Sequence, residues 1–318
     1  DFGVYVCNVP GTNSIAVAEL TMGLMIAIDR HIPPATADLK EGKWNKKMYS
    51  KAQGLFGKTI GIIGLGQIGL AVAERAKSFG MTVIAKKANR KPEAESKIRS
   101  TGIKLVDTIE DLIEESDVIS IHIPSDSETK NFVDKEFLQL MKPGSILINT
   151  SRGEIINEDA LLDALDEKDI RAGLDVFCDE PTTGTGDFSS KLAEHPNVIG
   201  THHIGASTQQ AQDATVEKTI EVIDSFRDGN VINCVNMAKE RIGSSTLTIR
   251  HYDKVGVLAE IFEIFRKEDL NVETMQNKIF EGSKAALATI DVSGEVSKDA
   301  LMQLKQINNV IHVQLSNR

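Results

Sequence analysis

Three residues that could do acid–base chemistry on a small anionic substrate stand at the ends of successive apolar runs. Arg152 lies in Thr150-Ser-Arg-Gly after the run Ser145–Asn149. Glu180 closes Asp175-Val-Phe-Cys-Asp-Glu, which begins in the run Gly173–Val176, and His203 follows the run Val198–Thr201. A guanidinium fork fixes a carboxylate. An imidazole takes a hydroxyl proton, and a nearby carboxylate orients the ring and supports its charged form. Taken singly, Arg152 reads as a surface or capping residue, Glu180 as part of a loop before Pro181, and His203 as a satisfied structural histidine. Their joint placement favours the chemical reading.

A fourth station supplies what that trio lacks. Thr59–Ile63 is an apolar run leading at once into Gly64-Leu-Gly66-Gln67-Ile68-Gly69, and a helix is expected over Leu70–Phe79. The spacing suits a dinucleotide pyrophosphate. Gly64 makes the tight turn, Gly66 keeps side chains away from the phosphates, and Gly69 lets helix pack on strand, with the helix amides aimed at the negative charge. Arginine, carboxylate, imidazole and a dinucleotide together are what hydride transfer at a hydroxy acid requires.

These stations need a parallel sheet to bring them to one edge, and the chain predicts one. From Thr59 to Gly205, short β-rich runs (Thr59–Ile63, Thr82–Ala85, Val118–His122, Ser145–Asn149, Gly173–Val176, Val198–Thr201) alternate with helical patterns at Thr108–Glu115, Lys135–Leu140 and Glu158–Glu167, the last capped by Asn157. Their continuous apolarity indicates strands covered on both faces, hence a doubly wound α/β, Rossmann-type domain whose ligands sit at the carboxyl ends of the strands. Long helices over Ser14–Arg30 and Ser207–Asp228 bracket it. Val4–Val9 reads as one strand with no visible partner. Met237–Ser245 reads as a linker. Beyond it the order strand Leu247–His251, helix Val257–Lys267, strands Val272–Phe280 and Ala285–Val292, helix Lys298–Ile307, strand Val310–Leu315 is βαββαβ, a ferredoxin-like unit with Gly282 in its central hairpin.

Composition narrows the partners. A net charge of -10 over 318 residues opposes nucleic acid, and the one dense basic run, Lys86–Lys91, is too small to reverse that. The longest apolar stretch, Leu20–Ile28, is too short to span a bilayer. Cys7, Cys178 and Cys234 are far apart in sequence and form no C-x-x-C, so neither a metal site nor a disulfide framework is indicated; a reducing, cytoplasmic setting is expected, with Cys178 structural.

The ordered series Val17-Ala-Glu-Leu, Gly64–Gly69, Met141-Lys-Pro-Gly-Ser, Thr150-Ser-Arg-Gly, Asp175-Val-Phe, Glu180-Pro and His203-Ile-Gly-Ala-Ser-Thr-Gln-Gln-Ala-Gln resembles the D-2-hydroxyacid dehydrogenases. The resemblance implies Arg152 as the substrate-binding residue, His203 as acid/base and Glu180 as its partner. It implies cofactor contacts from Gly64, Gly66, Gln67, Ile68, Gly69, Thr150, Ser151, Asp175 (at the nicotinamide carboxamide) and Gly205. The family writes Pro where this chain has His202; His203 is preferred as the acting ring because Ile-Gly follows it. Within the family the likeness is greatest to the enzymes that oxidise 3-phospho-D-glycerate in serine biosynthesis. An NADPH-dependent glyoxylate or hydroxypyruvate reductase and a dinucleotide-sensing corepressor are the alternatives. The family's usual acid at the end of the second strand falls on Lys87, which with Lys86 and Arg90 suits a 2'-phosphate, so NADP stands beside NAD.

The resemblance further implies the division 1–12 as a remnant of a substrate domain, 13–206 as dinucleotide-binding domain, 207–236 as crossing helix and return, 237–245 as linker and 246–318 as a regulatory domain. Because the family's substrate domain begins before the position matching Asp1, this polypeptide alone is expected to be catalytically weak. The tail, through His251-Tyr-Asp253-Lys-Val-Gly256-Val-Leu-Ala and Leu270-Asn271-Val, resembles an ACT domain. That likeness implies an allosteric site for L-serine using His251, Asp253 and Asn271 between paired domains, and a homodimer or homotetramer. Val255 replaces the proline of the serine-inhibited relatives.

Overall fold

The computed structural model describes residues 3–88, 96, 98, 100–237 and 243–317. The chain forms two compact units, one from Asn8 to Asn233 and one from Asp1–Cys7 with Cys234–Arg318.

The first unit is built on seven strands: β1 Thr59–Ile63, β2 Thr82–Lys86, β3 Lys104–Val106, β4 Val118–Ile121, β5 Ile146–Asn149, β6 Arg171–Leu174 and β7 Val198–Gly200. All pairings are parallel, in the order β3-β2-β1-β4-β5-β6-β7. The order reverses between β1 and β4, and a crevice opens at the carboxyl ends of strands where a parallel sheet reverses in this way. Alternate residues of the strands feed two cores. On one face Ile60, Ile62 and Ile148 meet Met25 and Ile28 of helix α1 (Ser14–Asp29) and Val72 and Ala76 of a second helix, Gln67–Ser78. On the other, Ile63, Ile121 and Leu147 meet Leu112, Phe137, Leu138, Leu161 and Leu165, from helices Ile109–Glu115, Lys135–Leu140 and Glu158–Lys168. Each buried Val, Leu, Ile, Met or Phe among them contributes about 1.5–3 kcal/mol of apolar transfer.

Side chains cap the helices of the second face. Thr108 and Asp111 form a reciprocal capping box, Asp134 accepts from the Phe137 amide, and Asn157 from the Ala160 amide. Apart from the N-terminal strand, the expected elements are present, with ends unchanged or shifted by up to three residues. Several were not foreseen: β3, the helices Ile32–Lys40 and Lys46–Tyr49, and the short helix Lys191–Glu194. The long helix Gln209–Arg227 buries only Ala211, leaving Val216, Ile220, Ile223 and Phe226 exposed as a stripe.

In the second unit, β8 Ser245–Tyr252, β9 Asn271–Ile279, β10 Ala285–Ser293 and β11 Val310–Asn317 pair antiparallel in the order β11-β8-β10-β9. Helices Val257–Lys267 and Lys298–Gln306 cover one face through Ile261, Phe265 and Leu304 against Leu247, Ile249, Ala288 and Ile290. Gly282 (φ +94°) makes the β9–β10 hairpin turn, where a side chain would be strained. β8 begins at Ser245, one end of the expected linker; residues 238–242 of that linker lie outside the described residues. The expected N-terminal strand is instead a single antiparallel bridge, and its partner is the segment around Cys234. Among the described residues, no helix is long and apolar enough to cross a membrane.

Candidate active site

The site assembles from loops at the carboxyl ends of β1, β4, β5, β6 and β7, five neighbours in the sheet. At β1, the three glycines have three separate reasons. Gly64 is at φ +98°, and a Cβ there would lie 2.3 Å from the His122 carbonyl oxygen. At Gly69 a Cβ would lie 2.0 Å from the Gly64 carbonyl oxygen and 3.2 Å from Ile62, so the helix rests directly on the strand. Gly66 is different: nothing lies within 4 Å of its missing Cβ. It is the N-cap of the twelve-residue helix Gln67–Ser78 and offers no side chain to cap it. The first amides of that helix, at Gln67, Ile68 and Gly69, lack intrahelical partners. Open space in front of free amides and a positive helix end fits a phosphate. The Gln67 side chain turns aside, its Oε1 accepting from Ser14 Oγ at 3.5 Å.

At β5 the buried Asn149 ties its own loop, donating from Nδ2 to the Arg152 carbonyl at 2.8 Å and accepting from the Ser151 amide at 3.0 Å. Ser151 Oγ donates to the Ile121 carbonyl at 2.8 Å, locking the loop to β4. The hydroxyls of Thr150 and Thr21 share a hydrogen bond of 3.0 Å in the interior. Arg152 is exposed, with Nη1 donating to the Ser151 carbonyl at 2.7 Å. Gly153 then passes so near the next loop that a Cβ would sit 2.1–2.5 Å from the Phe177 carbonyl group and the Cys178 nitrogen.

That next loop carries two carboxylates with separate tasks. Asp175 is 1% exposed and receives three donors: Thr201 Oγ1 at 2.6 Å and the Ile204 amide at 2.9 Å on Oδ1, and the Gly205 amide at 2.8 Å on Oδ2. Its own carbonyl accepts from the His203 amide at 2.8 Å. Asp175 therefore pins the whole 201–205 loop, including His203, which sits at φ +52°, a left-handed conformation unusual for a residue with a side chain. Glu180 holds the ring itself: Oε2 is 2.7 Å from His203 Nδ1, while Oε1 accepts from the Phe177 amide at 2.8 Å. A carboxylate at Nδ1 selects the Nδ1–H tautomer, which leaves the lone pair on Nε2 of the half-exposed ring. His203 is the ring so held, not its neighbour His202.

His122, at the end of β4 beside Gly64, was not singled out from the sequence, since nothing about a lone histidine after a strand marks it. Its Nε2 shares a 2.8 Å hydrogen bond with Ser120 Oγ, its Nδ1 is buried without a partner among the described residues, and burial pulls its pKa down to about 4. Cys178 is exposed at its surface, yet partial burial and then the adjacent Glu158 push its thiol up to about 12.

The remaining expected contacts spread out. Lys87, just past β2, donates to Asp107 Oδ1 at 2.5 Å; Arg90 and Lys91 of the basic run lie outside the described residues. In the second unit His251 is 1% exposed, its Nδ1 on the Tyr252 carbonyl at 2.8 Å and its Nε2 3.2 Å from the Asn277 side-chain oxygen. Tyr252, beside Asp253, pairs with Ala285 at the start of β10, and Asn271 with Ser293 at its end. One chain thus sets Asp253 and Asn271 roughly 27 Å apart along the sheet, from the strand rise per residue.

Residues 22–205 match the family described as D-isomer specific 2-hydroxyacid dehydrogenase, NAD binding domain. This chain belongs to that family. Residues 247–312 match the AHAS small subunit-like ACT domain. The D-3-phosphoglycerate dehydrogenase of Methanocaldococcus jannaschii is 44% identical over 76% of this chain and 45% of its own length. That of Escherichia coli is 35% identical over 98% of this chain and 76% of its own. The chain thus spans under half of one such relative and about three quarters of another. The hydroxypyruvate reductase of Thermotoga maritima is 46% identical over 66% of each chain. Among solved structures, a D-lactate dehydrogenase with NAD+ from Lactobacillus jensenii superposes with a TM-score of 0.64 at 29% identity, covering 74% of this dehydrogenase-family chain and 72% of the other.

Proposed function

We propose that this protein oxidises 3-phospho-D-glycerate to 3-phosphooxypyruvate with a nicotinamide cofactor. The observation that carries the reading is the Glu180–His203 pair on a loop clamped by Asp175, beside an exposed Arg152 and an uncapped glycine turn. A bound nicotinamide supplies the hydride acceptor. Arg152 pairs with the substrate carboxylate through its guanidinium fork. His203 Nε2 removes the hydroxyl proton as the carbonyl forms, and Glu180 stabilises the imidazolium that results. Asp175 acts on this step by holding His203 in place. The phosphoglycerate substrate, rather than glyoxylate or hydroxypyruvate, is supported by the E. coli relative, whose match takes in both units, whereas the reductase match covers only two thirds of the chain. A cytoplasmic enzyme accords with this biosynthetic reading. Absorbance of the reduced cofactor with each substrate tests it. A kcat/KM for 3-phosphoglycerate below that for hydroxypyruvate overturns the substrate assignment, and no turnover of any hydroxy acid overturns the enzymatic one.

NAD is the cofactor this reading takes. The Lys87 ammonium faces the Asp107 carboxylate, and Asp107 leaves a negative charge beside any 2'-phosphate, whichever partner Lys87 adopts. The ion pair is exposed and worth under about 1 kcal/mol, so its removal is a clean probe. Asp107→Ala is expected to raise kcat/KM for NADP relative to NAD; a preference for NADP in the unsubstituted protein overturns the assignment.

The ACT-type unit supports feedback by L-serine. With Asp253 and Asn271 at opposite ends of β10, one zwitterion meets both only when two copies pair, so a homodimer or homotetramer goes with this reading. His251 joins such a site only by giving up its internal hydrogen bonds. Calorimetric titration with L-serine checks it, and absence of heat in the paired protein removes the effector.

A further inference from the structure

We propose that Cys7 and Cys234, 227 positions apart in sequence, are a modification site: a cross-strand thiol pair that closes reversibly to a disulfide. The two residues form an isolated antiparallel bridge. The backbone bonds on either side run from the Asn8 amide to the Asn233 carbonyl at 3.1 Å and from the Val235 amide to the Val6 carbonyl at 2.8 Å. Bonds between the flanking residues, and none between the opposed pair, define the non-hydrogen-bonded register. There the two Cα atoms lie ~4.5 Å apart and both side chains point to the same face. That spacing falls at the near end of the roughly 4.4–6.8 Å over which disulfides bridge Cα atoms. Both thiols are free and only partly buried, so a small oxidant reaches them. Burial, followed by the neighbouring Cys234 thiol, raises Cys7 above the ordinary thiol range, as expected of two sulfurs within reach of each other.

The oxidant is a low-molecular-weight disulfide of the glutathione class. One cysteine thiolate attacks a sulfur of that disulfide, forming a mixed disulfide and expelling one small thiol. The second cysteine thiolate attacks the protein sulfur of the mixed disulfide, the Cys7–Cys234 bond forms, and a second small thiol leaves. Two protein thiols are oxidised, one small disulfide is reduced to two thiols, and the two cysteine protons end on the departing thiols. Reduction by excess thiol runs the same steps backwards.

The position gives the bond a consequence. The chain passes from one compact unit to the other at Cys7–Asn8 and again at Asn233–Cys234. A bond here turns both crossings into one clasp and closes the whole dinucleotide-binding unit into a covalent ring. A loop of that length loses a large share of its unfolded-state freedom, so the oxidised form unfolds at higher temperature.

The test incubates the folded protein with oxidised glutathione, blocks remaining thiols by alkylation and maps the peptides by mass. The expected product is a single Cys7–Cys234 linked peptide lighter by two hydrogens, with Cys178 alkylated. Dithiothreitol reverses the link, and the unfolding midpoint of the oxidised form lies several degrees above that of the reduced form. Cys178→Ser keeps both effects, while Cys7→Ser and Cys234→Ser, isosteric changes on partly exposed residues, lose both. Three alkylated cysteines in the folded protein, a persistent mixed disulfide at Cys7 or Cys234, or a link through Cys178 overturns the site. A mapped link without a rise in the midpoint overturns the clasp.

Discussion

Glu180 divides its carboxylate between two donors, giving Oε2 to His203 Nδ1 at 2.7 Å and Oε1 to the Phe177 amide at 2.8 Å. Glutamine has the same shape but only one acceptor. If the Phe177 amide claims that oxygen, the amide nitrogen faces His203 Nδ1 and selects the tautomer whose Nε2 already carries hydrogen. Glu180→Gln is therefore expected to lower kcat roughly a hundredfold, with the far-UV spectrum and cofactor affinity unchanged. Steady-state rates and a cofactor titration check it, and a kcat within a factor of about two of the unsubstituted protein removes Glu180 from the proton-transfer step.

Asp175 makes a different prediction, because its carboxylate is spent on protein donors. Asp175→Asn sets an NH2 group against the Ile204 amide or the Gly205 amide in a buried site. The loss is about 2–3 kcal/mol of stability, together with a fall in kcat as the 201–205 loop loosens. A residue whose role is to touch the nicotinamide alone gives the second effect without the first. Denaturant melts of the cofactor-free protein separate the two.

Two glycines are expected to fail in opposite ways. Gly153→Ala forces a methyl into the Phe177–Cys178 peptide, which is backbone and cannot swing aside, so the two loops bearing Arg152 and Glu180 are driven apart. A destabilisation of at least about 2 kcal/mol follows. Gly66→Ala meets nothing, at a φ of -76° that any residue adopts. Its melting temperature is expected to match the unsubstituted protein while the Kd for the dinucleotide rises tenfold or more, since the methyl occupies the space for phosphate. Calorimetry on both variants decides the pair.

How far the chain could be read follows from which signals are local. Thr59–Ile63, the helix from Ser14 and the elements of the second unit carry apolar periodicity, and each was legible. β3 was not, being three residues at the edge of the sheet with Lys104 exposed. The helices Ile32–Lys40 and Lys46–Tyr49 bury no residue and so leave no periodic trace. The chemical types at the site were visible, but their partners were not. Nothing in the spelling of Gly153 or Gly66 says which one faces a peptide group and which faces open space. Asp175 advertises a carboxylate without saying that three protein donors consume it. Cys7 and Cys234 looked unrelated because sequence separation says nothing about cross-strand register.

His122 ties the mouth of the sheet to pH. Burial holds its folded pKa at about 4, against an ordinary value of 6.5. Below 6.5 the unfolded chain takes up a proton that the folded ring refuses, so this contribution to stability is fully present above pH 6.5, falls as pH drops through the window, and is gone below about 4. The whole change is at most about 3 kcal/mol, from 1.4 kcal/mol per pKa unit. Asp126, held below the ordinary carboxylate range by the Glu128 amide and the Thr129 hydroxyl, acts only at pH values under its ordinary 3.8, outside that window. Urea midpoints measured stepwise from neutral pH downward are expected to fall between 6.5 and 4, and His122→Gln is expected to flatten that limb. A parent curve that is level across the window, or an unchanged slope in the variant, shows that the ring takes up its proton in the folded protein.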